Sequence, residues 1–252
     1  MLDALAVALA LGLVLPPRLQ VVHDATPQGA RVADIGCDHG QLSAALALSD
    51  RASAVFACDM SEAALKKTAL TLERTQMGGR VLLRAGDGLN CLTAEDAVDS
   101  AVMAGLGVPR MINILREGFR VEVAATAAIR TLVLQPVTPH LSQLALLRAY
   151  LRRRSFQIVT ETFSLSEARP YVTLTAVRGG TAPAPSESVA LLGEAPPPLE
   201  TRGYLAYLSQ QRERLAKQLR GLQRARQRAA VARQCRRLSA QIRLLDSMLG
   251  CS

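Results

Sequence analysis

Five short apolar runs, each followed by a polar or amphipathic stretch, succeed one another between Arg31 and Arg153. Few folds are open to a chain patterned in this way. The runs Arg31–Cys37, Ser53–Asp59, Arg80–Arg84, Val98–Ala104 and Thr131–Gln135 read as buried strands. Helices are predicted over Gln41–Ser49, from the cap Ser61 to Gln76, from Pro109 onward, and over Ser142–Arg153. Ser61 and Glu62 suit a helix start, where amides are unpaired and the dipole is positive, and proline is preset for a first helical turn. Strands alternating with helices imply an open, largely parallel sheet, and right-handed crossovers bring the C-terminal strand ends to one edge. A ligand site belongs at that edge. Two later segments, Phe156–Phe163 and Tyr171–Val177, alternate with a period of two, as an antiparallel pair does.

The chemistry-bearing residues fall at the ends of these strands. The first strand runs into Asp34-Ile35-Gly36-Cys37-Asp38-His39-Gly40, where Gly36 and Gly40 permit a tight strand-to-helix turn and close approach of backbone to a ligand. The second ends at Asp59, whose carboxylate can accept hydrogen bonds from both hydroxyls of a ribose. The spacing Gly-x3-Gly is not the GxGxxG of a dinucleotide site, and bulky Asp38 and His39 serve pyrophosphate poorly. A cofactor without phosphate, such as S-adenosylmethionine, fits better, with a dinucleotide as the alternative. Gly86-Asp87-Gly88 follows the third strand; it can meet an adenine amino group or be an ordinary turn. Ala104-Gly105-Leu106-Gly107-Val108-Pro109 ends the fourth strand and Gln135-Pro136 the fifth, on the side where a methyl group and its acceptor would meet; each also reads as a plain loop. His39 reads as a loop-ordering or cofactor-contacting residue rather than a base. His23 and His140 show no metal-ligand spacing, and no metal is expected.

Composition sets the remaining bounds. With 252 residues, 49% of them hydrophobic, the chain holds far too much apolar surface to be disordered. Aromatics are 3% and tryptophan is absent, so the core is built from Leu, Val and Ala, and binding by long runs of stacked bases is disfavoured. The net charge of +9 is localised. Residues 201–252 carry twelve Lys or Arg against two Asp or Glu, while the rest of the chain is close to neutral. A basic tail on a neutral body suggests a polyanion, most simply nucleic acid, although an arginine-rich solvated helix has the same composition. The five cysteines form no CxxC pair, which argues against a disulfide framework or structural zinc and suits a reducing cytoplasm. Leu2–Leu15 is apolar but short for a membrane span and has no basic residue before it, so residues 1–15 are expected to be an extension, either a helix packing on the domain or an extended start, with a targeting or anchor role as the alternative and no stable membrane association expected. Residues 16–180 then form the α/β domain. Residues 181–199, with five prolines, read as a linker. Residues 200–252 read as helix, with Leu208, Leu215, Leu219 and Leu222 in one stripe and Leu238, Ile242, Leu245 and Leu249 in another. A hairpin would let the two stripes bury each other.

Taken in order, RVADIGCDHGQL, RAGDGL, AGLG, LVLQP and the closing helical pair resemble the bacterial tRNA (adenine-22-N1)-methyltransferase family of the TrmK type, over about Arg18 to Leu249. The resemblance implies a Rossmann-like class I methyltransferase sheet followed by an antiparallel coiled-coil hairpin. It also implies S-adenosylmethionine-dependent methylation of adenine N1 at tRNA position 22. Carried over by position, the cofactor contacts are Arg18, Asp34, Gly36, Asp38, His39, Asp59, Asp87, Gly88, Ala104 and Gly105. Asp38, Gly105 and Gln135 are the candidates for holding adenine and methyl donor in register. Arg110, Pro136, Arg220, Arg224 and Arg228 are the candidate RNA contacts, and the expected assembly is a monomer bound to tRNA. Val108 and Val137 stand where the family usually carries Gly and Asn, and Asp59 where it commonly carries Glu. The alternatives are a small-molecule methyltransferase, a non-catalytic RNA-binding relative, and a coiled-coil interaction protein on a retired enzyme scaffold.

Overall fold

The computed structural model describes residues 11–120, 124–137, 139–179, 191–193, 201–224 and 229–250. The strands are β1 Ala30–Ile35, β2 Ala52–Asp59, β3 Val81–Ala85, β4 Ser100–Leu106, β5 Thr131–Pro136, β6 Phe156–Ser166 and β7 Arg169–Arg178. They form one sheet in the order β3-β2-β1-β4-β5-β7-β6. The first five neighbours pair in parallel, whereas β7 runs antiparallel to both β5 and β6. The helices are α1 Pro17–Ala25, α2 Gln41–Leu48, α3 Glu62–Arg74, α4 Val108–Gly118, α5 Leu141–Arg153, α6 Arg202–Arg224 and α7 Ala229–Leu249. All seven predicted strands are present, with ends shifted by a few residues. The Ser61 cap holds, its Oγ accepting from Ala64 N at 3.3 Å.

Helix α1 is not among the helices expected from the sequence. Pro17 occupies the first turn, where no amide partner is needed, and Leu19 and Val22 are buried under the sheet. With α2 and α3 it covers one face, over Val32, Val55, Ala57 and Val102. The end of the apolar extension joins this layer through Leu13, 4% exposed; residues 1–10 lie outside the described residues. The other face is covered by α4, α5 and the start of α6, over Phe56, Met103, Leu132, Leu134 and Leu174.

The tail is a helical hairpin. A four-residue connection cannot span the roughly 34 Å of a 23-residue helix, so α6 and α7 run antiparallel. An Arg212–Asp246 ion pair bridges them. The leucine stripes predict a hairpin that buries its apolar surface within itself. Its base is instead part of the domain core: Tyr204, Tyr207 and Leu208 are buried, and the rings of Tyr204 and Tyr207 lie 4.7 and 5.3 Å from that of Phe163 on β6. Gly203 makes this packing possible, because a Cβ there would stand 2.6 Å from Phe163 O. Beneath the joint, Arg148 Nη2 pairs with Glu161 Oε2 at 2.6 Å, and Arg148 Nη1 donates to Leu191 O at 2.8 Å. The expected linker therefore contributes a buried residue, Leu191; positions 180–190 and 194–200 lie outside the described residues.

Candidate active site

A cleft of about 560 Å³ opens at the C-terminal ends of β1, β2 and β4. It lies where the strand order reverses, β1 leading out to β2 on one side and its neighbour β4 to β5 on the other. Diverging crossovers leave a crevice at such a point.

The β1–α2 loop forms the floor. Its backbone is left-handed at Gly36, Asp38 and Gly40, with φ of 77°, 48° and 68°. Gly40 is required twice over, since a Cβ on this left-handed residue would also meet Thr68 Cγ2 at 2.5 Å. Four of the loop amides are engaged internally. Gly36 N and Cys37 N donate to Cys58 O, Gly40 N donates to Cys37 O, and Asp38 N donates to Asp59 Oδ2 at 3.3 Å. Thr68 Oγ1 holds the Asp38 carbonyl at 2.8 Å. A phosphate cradle needs free amides turned inward, so this arrangement disfavours pyrophosphate on physical grounds.

Charges of both signs line the walls. Asp59 Oδ1 also accepts from Ser61 N at 2.9 Å, so its carboxylate is oriented through both oxygens, each keeping acceptor capacity. Asp34 is 3% exposed and accepts from Ser43 Oγ at 2.6 Å. Burial pushes its carboxyl from an ordinary 3.8 up to about 6, against the opposing pull of the Ser43 hydrogen bond. Arg18 and Lys67 bring positive charge to the same cleft. A ligand carrying both a cationic centre and an anionic group is complementary to these walls.

The cleft brings together Arg18, Asp34, Gly36, Asp38, His39, Asp59, Ala104 and Gly105 from the predicted set. His39 Nε2 stands 3.6 Å from Asp38 Oδ2 with both side chains exposed, which fits the loop-ordering reading rather than that of a buried base. Asp87 and Gly88 follow β3 outside this lining; Asp87 Oδ1 takes Arg110 Nη2 at 2.5 Å, and Gly88 is buried beside Ile114. Gln135 is 1% exposed and stands behind the cleft. Its Nε2 donates to Arg18 O at 2.7 Å and to Thr173 Oγ1 at 2.8 Å. It therefore orients Arg18 rather than reaching into the cavity. Pro136 is buried at the end of β5, and Val137 after it is 45% exposed. Of the tail arginines, Arg220 is exposed on α6; the side chain of Arg224 and all of Arg228 lie outside the described residues. Lys67, Ser61 and Gln41 line the cleft but are absent from the predicted set. Ser61 has a readable signal, since a helix cap directly after a strand end faces the same edge. Lys67 has none, being one of several surface charges on an amphipathic helix.

Among the described residues no group of His, Cys, Asp and Glu is arranged to hold a metal ion. Among them, too, no helix is long and apolar enough to cross a membrane.

Residues 15–174 match a family model described as a methyltransferase domain. A curated relative, the tRNA (adenine(22)-N(1))-methyltransferase of Bacillus subtilis (strain 168), is 28% identical over 167 residues, 66% of this chain and 66% of that protein. The match thus spans just under two thirds of the relative. The crystal structure of the B. subtilis m1A22 tRNA methyltransferase TrmK is similar with a TM-score of 0.78 and 23% identity, covering 94% of this chain and 99% of that one. A Streptococcus pneumoniae structure in complex with S-adenosyl-L-methionine has a TM-score of 0.77 and 22% identity, covering 92% of this chain and 98% of that one. This coverage reaches beyond the α/β domain, so the two-part architecture of sheet and hairpin is shared.

Proposed function

Because this chain belongs to the family of methyltransferase domains, we propose that it transfers the methyl group of S-adenosylmethionine to N1 of adenine 22 in tRNA. The observation that carries this reading is the cleft itself, with charges of both signs on its walls and engaged amides on its floor. S-adenosylmethionine has an ammonium, a carboxylate and a ribose but no phosphate. Asp59 would hold the ribose hydroxyls, and Asp34 and Arg18 the charged methionine end. The named relatives act on, or were crystallised with, the same substrate and cofactor classes. Asp87 and Gly88, one turn along the same edge, would flank the adenine of the cofactor.

When bound, the cofactor supplies a methyl group made electrophilic by a positively charged sulfur. Adenine N1 has a free lone pair at neutral pH and attacks without losing a proton first. The protein's task is then alignment and exclusion of water rather than strong base catalysis. The Ala104–Leu106 backbone walls the cleft on the acceptor side, and Gln135 fixes Arg18 from behind. Positive charge passes to the base as the methyl moves, and the exposed Asp38 carboxylate beside the cleft favours that change. Reaching N1 of a base inside folded tRNA requires local opening, as in other base-modifying enzymes. The exposed Lys217 and Arg220 of the hairpin would grip phosphates. The protein is read as a cytoplasmic enzyme that meets tRNA as a monomer.

The test is methyl transfer from labelled S-adenosylmethionine to unmodified bulk tRNA, followed by nucleoside analysis. The expected product is 1-methyladenosine. A protein that binds the cofactor but labels no tRNA would overturn the reading. It would favour a binding-only relative, for which the exposed Val137 at the acceptor edge is the structural argument.

A further inference from the structure

A base drawn out of an RNA stack loses the stacking of its neighbours, and enzymes that act on such bases commonly restore it with a flat side chain. The loops nearest the acceptor side of this cleft offer none: they consist of Ala104, Gly105, Leu106, Gly107 and Val108 after β4, and Pro136 and Val137 after β5. The chain has eight Phe and Tyr rings; of its three imidazoles, His23 is tied to Ser49, His140 sits at the start of α5, and His39 stands on the cofactor loop beside Asp38. Phe56, Phe156, Phe163, Tyr204 and Tyr207 are buried, and Phe119 and Tyr150 pack against the same core. Tyr171 is the remaining ring.

Its position follows from topology. Because β7 runs antiparallel to β5, its first residues lie at the edge where β5 ends. Leu134 pairs with Leu174, and Gln135 reaches Thr173 Oγ1 at 2.8 Å. Side chains two apart on a strand share a face, so Tyr171 stands one step further out on the Thr173 face, beyond the last residue paired with β5. Glu167 and Ala168, both left-handed at φ 50° and 58°, turn the chain tightly into this position. The Arg18 guanidinium carbon lies 5.8 Å from the Tyr171 ring centre. Arg18 Nη1 in turn lies 4.0 Å from where a Cβ on Gly105 would stand. From the cleft outward the order is therefore Gly105, Arg18, Tyr171, and the ring is half-buried.

We propose that the Arg18–Tyr171 pair is the stacking surface on which the target base is held for methyl transfer. The inference rests on the reading of the substrate as an adenine in tRNA and names the residue that would seat it. The Arg18 cation already lies over this ring, so the pair contributes alignment of the base for in-line attack rather than added attraction for the charge that N1 gains.

The experiment compares wild type, Tyr171→Phe and Tyr171→Leu as full-length proteins. Calorimetry measures binding of S-adenosylhomocysteine, and single-turnover assays measure methyl transfer to tRNA. A third readout is the fluorescence of tRNA carrying 2-aminopurine at position 22: opening the base brightens the probe, and restacking on the protein quenches it, so quenching is read in each complex against that of Tyr171→Leu. Tyr171→Leu is expected to bind S-adenosylhomocysteine within twofold of wild type, to lose about ten- to hundredfold in kcat/KM, and to lose the quenching. Tyr171→Phe is expected to stay within about threefold of wild type throughout, since it keeps the ring. Wild-type turnover by Tyr171→Leu would overturn the proposal. So would a loss of S-adenosylhomocysteine binding equal to the loss of turnover, because Tyr171 would then be only a shelf for Arg18. Quenching in wild type but not in Tyr171→Leu, with no methyl transfer by either, would sustain the base seat while refuting the catalytic reading. No quenching in wild type would refute the seat whatever the transfer assay shows.

Discussion

The cofactor edge of the sheet and the outer edge where the hairpin docks are built from opposite materials. At the cofactor edge the shape is held by backbone: left-handed turns, engaged amides and a carboxylate gripped by two N–H groups. Apart from Asp34, its charges face the solvent-filled cleft, available to a ligand. At the outer edge the shape is held by side chains: three aromatic rings packed at a tilt over an ion pair whose partners are 4% and 7% exposed. The first region is organised to bind. The second is organised to hold a basic arm at a set angle to the cleft, and a truncation at residue 199 would expose Phe163 and strip the domain core. Charge substitutions on the hairpin, rather than its removal, are therefore the way to test RNA binding.

The largest effect is expected where a buried charge loses its partner. Arg148→Met leaves Glu161 buried and unpaired, and should cost about 3–5 kcal/mol in denaturant unfolding. The double substitution Arg148→Met/Glu161→Leu should recover most of that loss. A single variant as stable as wild type would show that the outer edge is not held by this pair.

An effect of about 3 kcal/mol at most is expected from Asp34 at the cofactor edge. Its carboxyl is raised from 3.8 to about 6, so the folded state binds the proton more tightly than the unfolded state does. The associated stability is complete below about pH 4 and is lost as pH rises through 6. Melting profiles should therefore decline over this range in wild type relative to Asp34→Asn. Cofactor affinity should show the opposite trend, rising with pH towards 7, because a cationic group beside Asp34 favours its ionised form. Parallel melting profiles for the two proteins would refute the assignment.

The smallest effect per residue belongs to the hairpin surface. Changing Lys217 and Arg220 to Gln should leave melting temperature and cofactor binding unchanged. It should reduce the slope of log tRNA affinity against log salt by about one for each phosphate that the hairpin no longer neutralises. An unchanged slope would remove this face from the RNA interface.

How much of this is legible in the sequence differs between the same two regions. Asp34, Gly36, Asp38, His39 and Asp59 are readable because a strand end followed by a glycine turn is a local pattern, and parallel topology sends such ends to one edge. Gln135 is readable as a strand-end residue but not as the support of Arg18, 117 positions away along the chain. Helix α1 is hidden because its nine residues bury only Leu19 and Val22, too few to show a helical period in the sequence. Tyr171 is one more alternating strand residue until β7 is seen to run antiparallel to β5. The tail shows two leucine stripes, which pair equally well with each other or with a sheet.

Local order in the chain thus dictated the strands, the turns, the parallel half of the sheet and the place of the cleft. Hydrophobic period and turn stereochemistry act over a few residues and need no distant partner. The docking of the hairpin, the burial of Arg148 and Glu161, the raised Asp34 carboxyl and the meeting of Arg18 with Tyr171 came from the assembled fold. Each depends on which surfaces exclude water from one another, and that is a property of residues far apart in the chain.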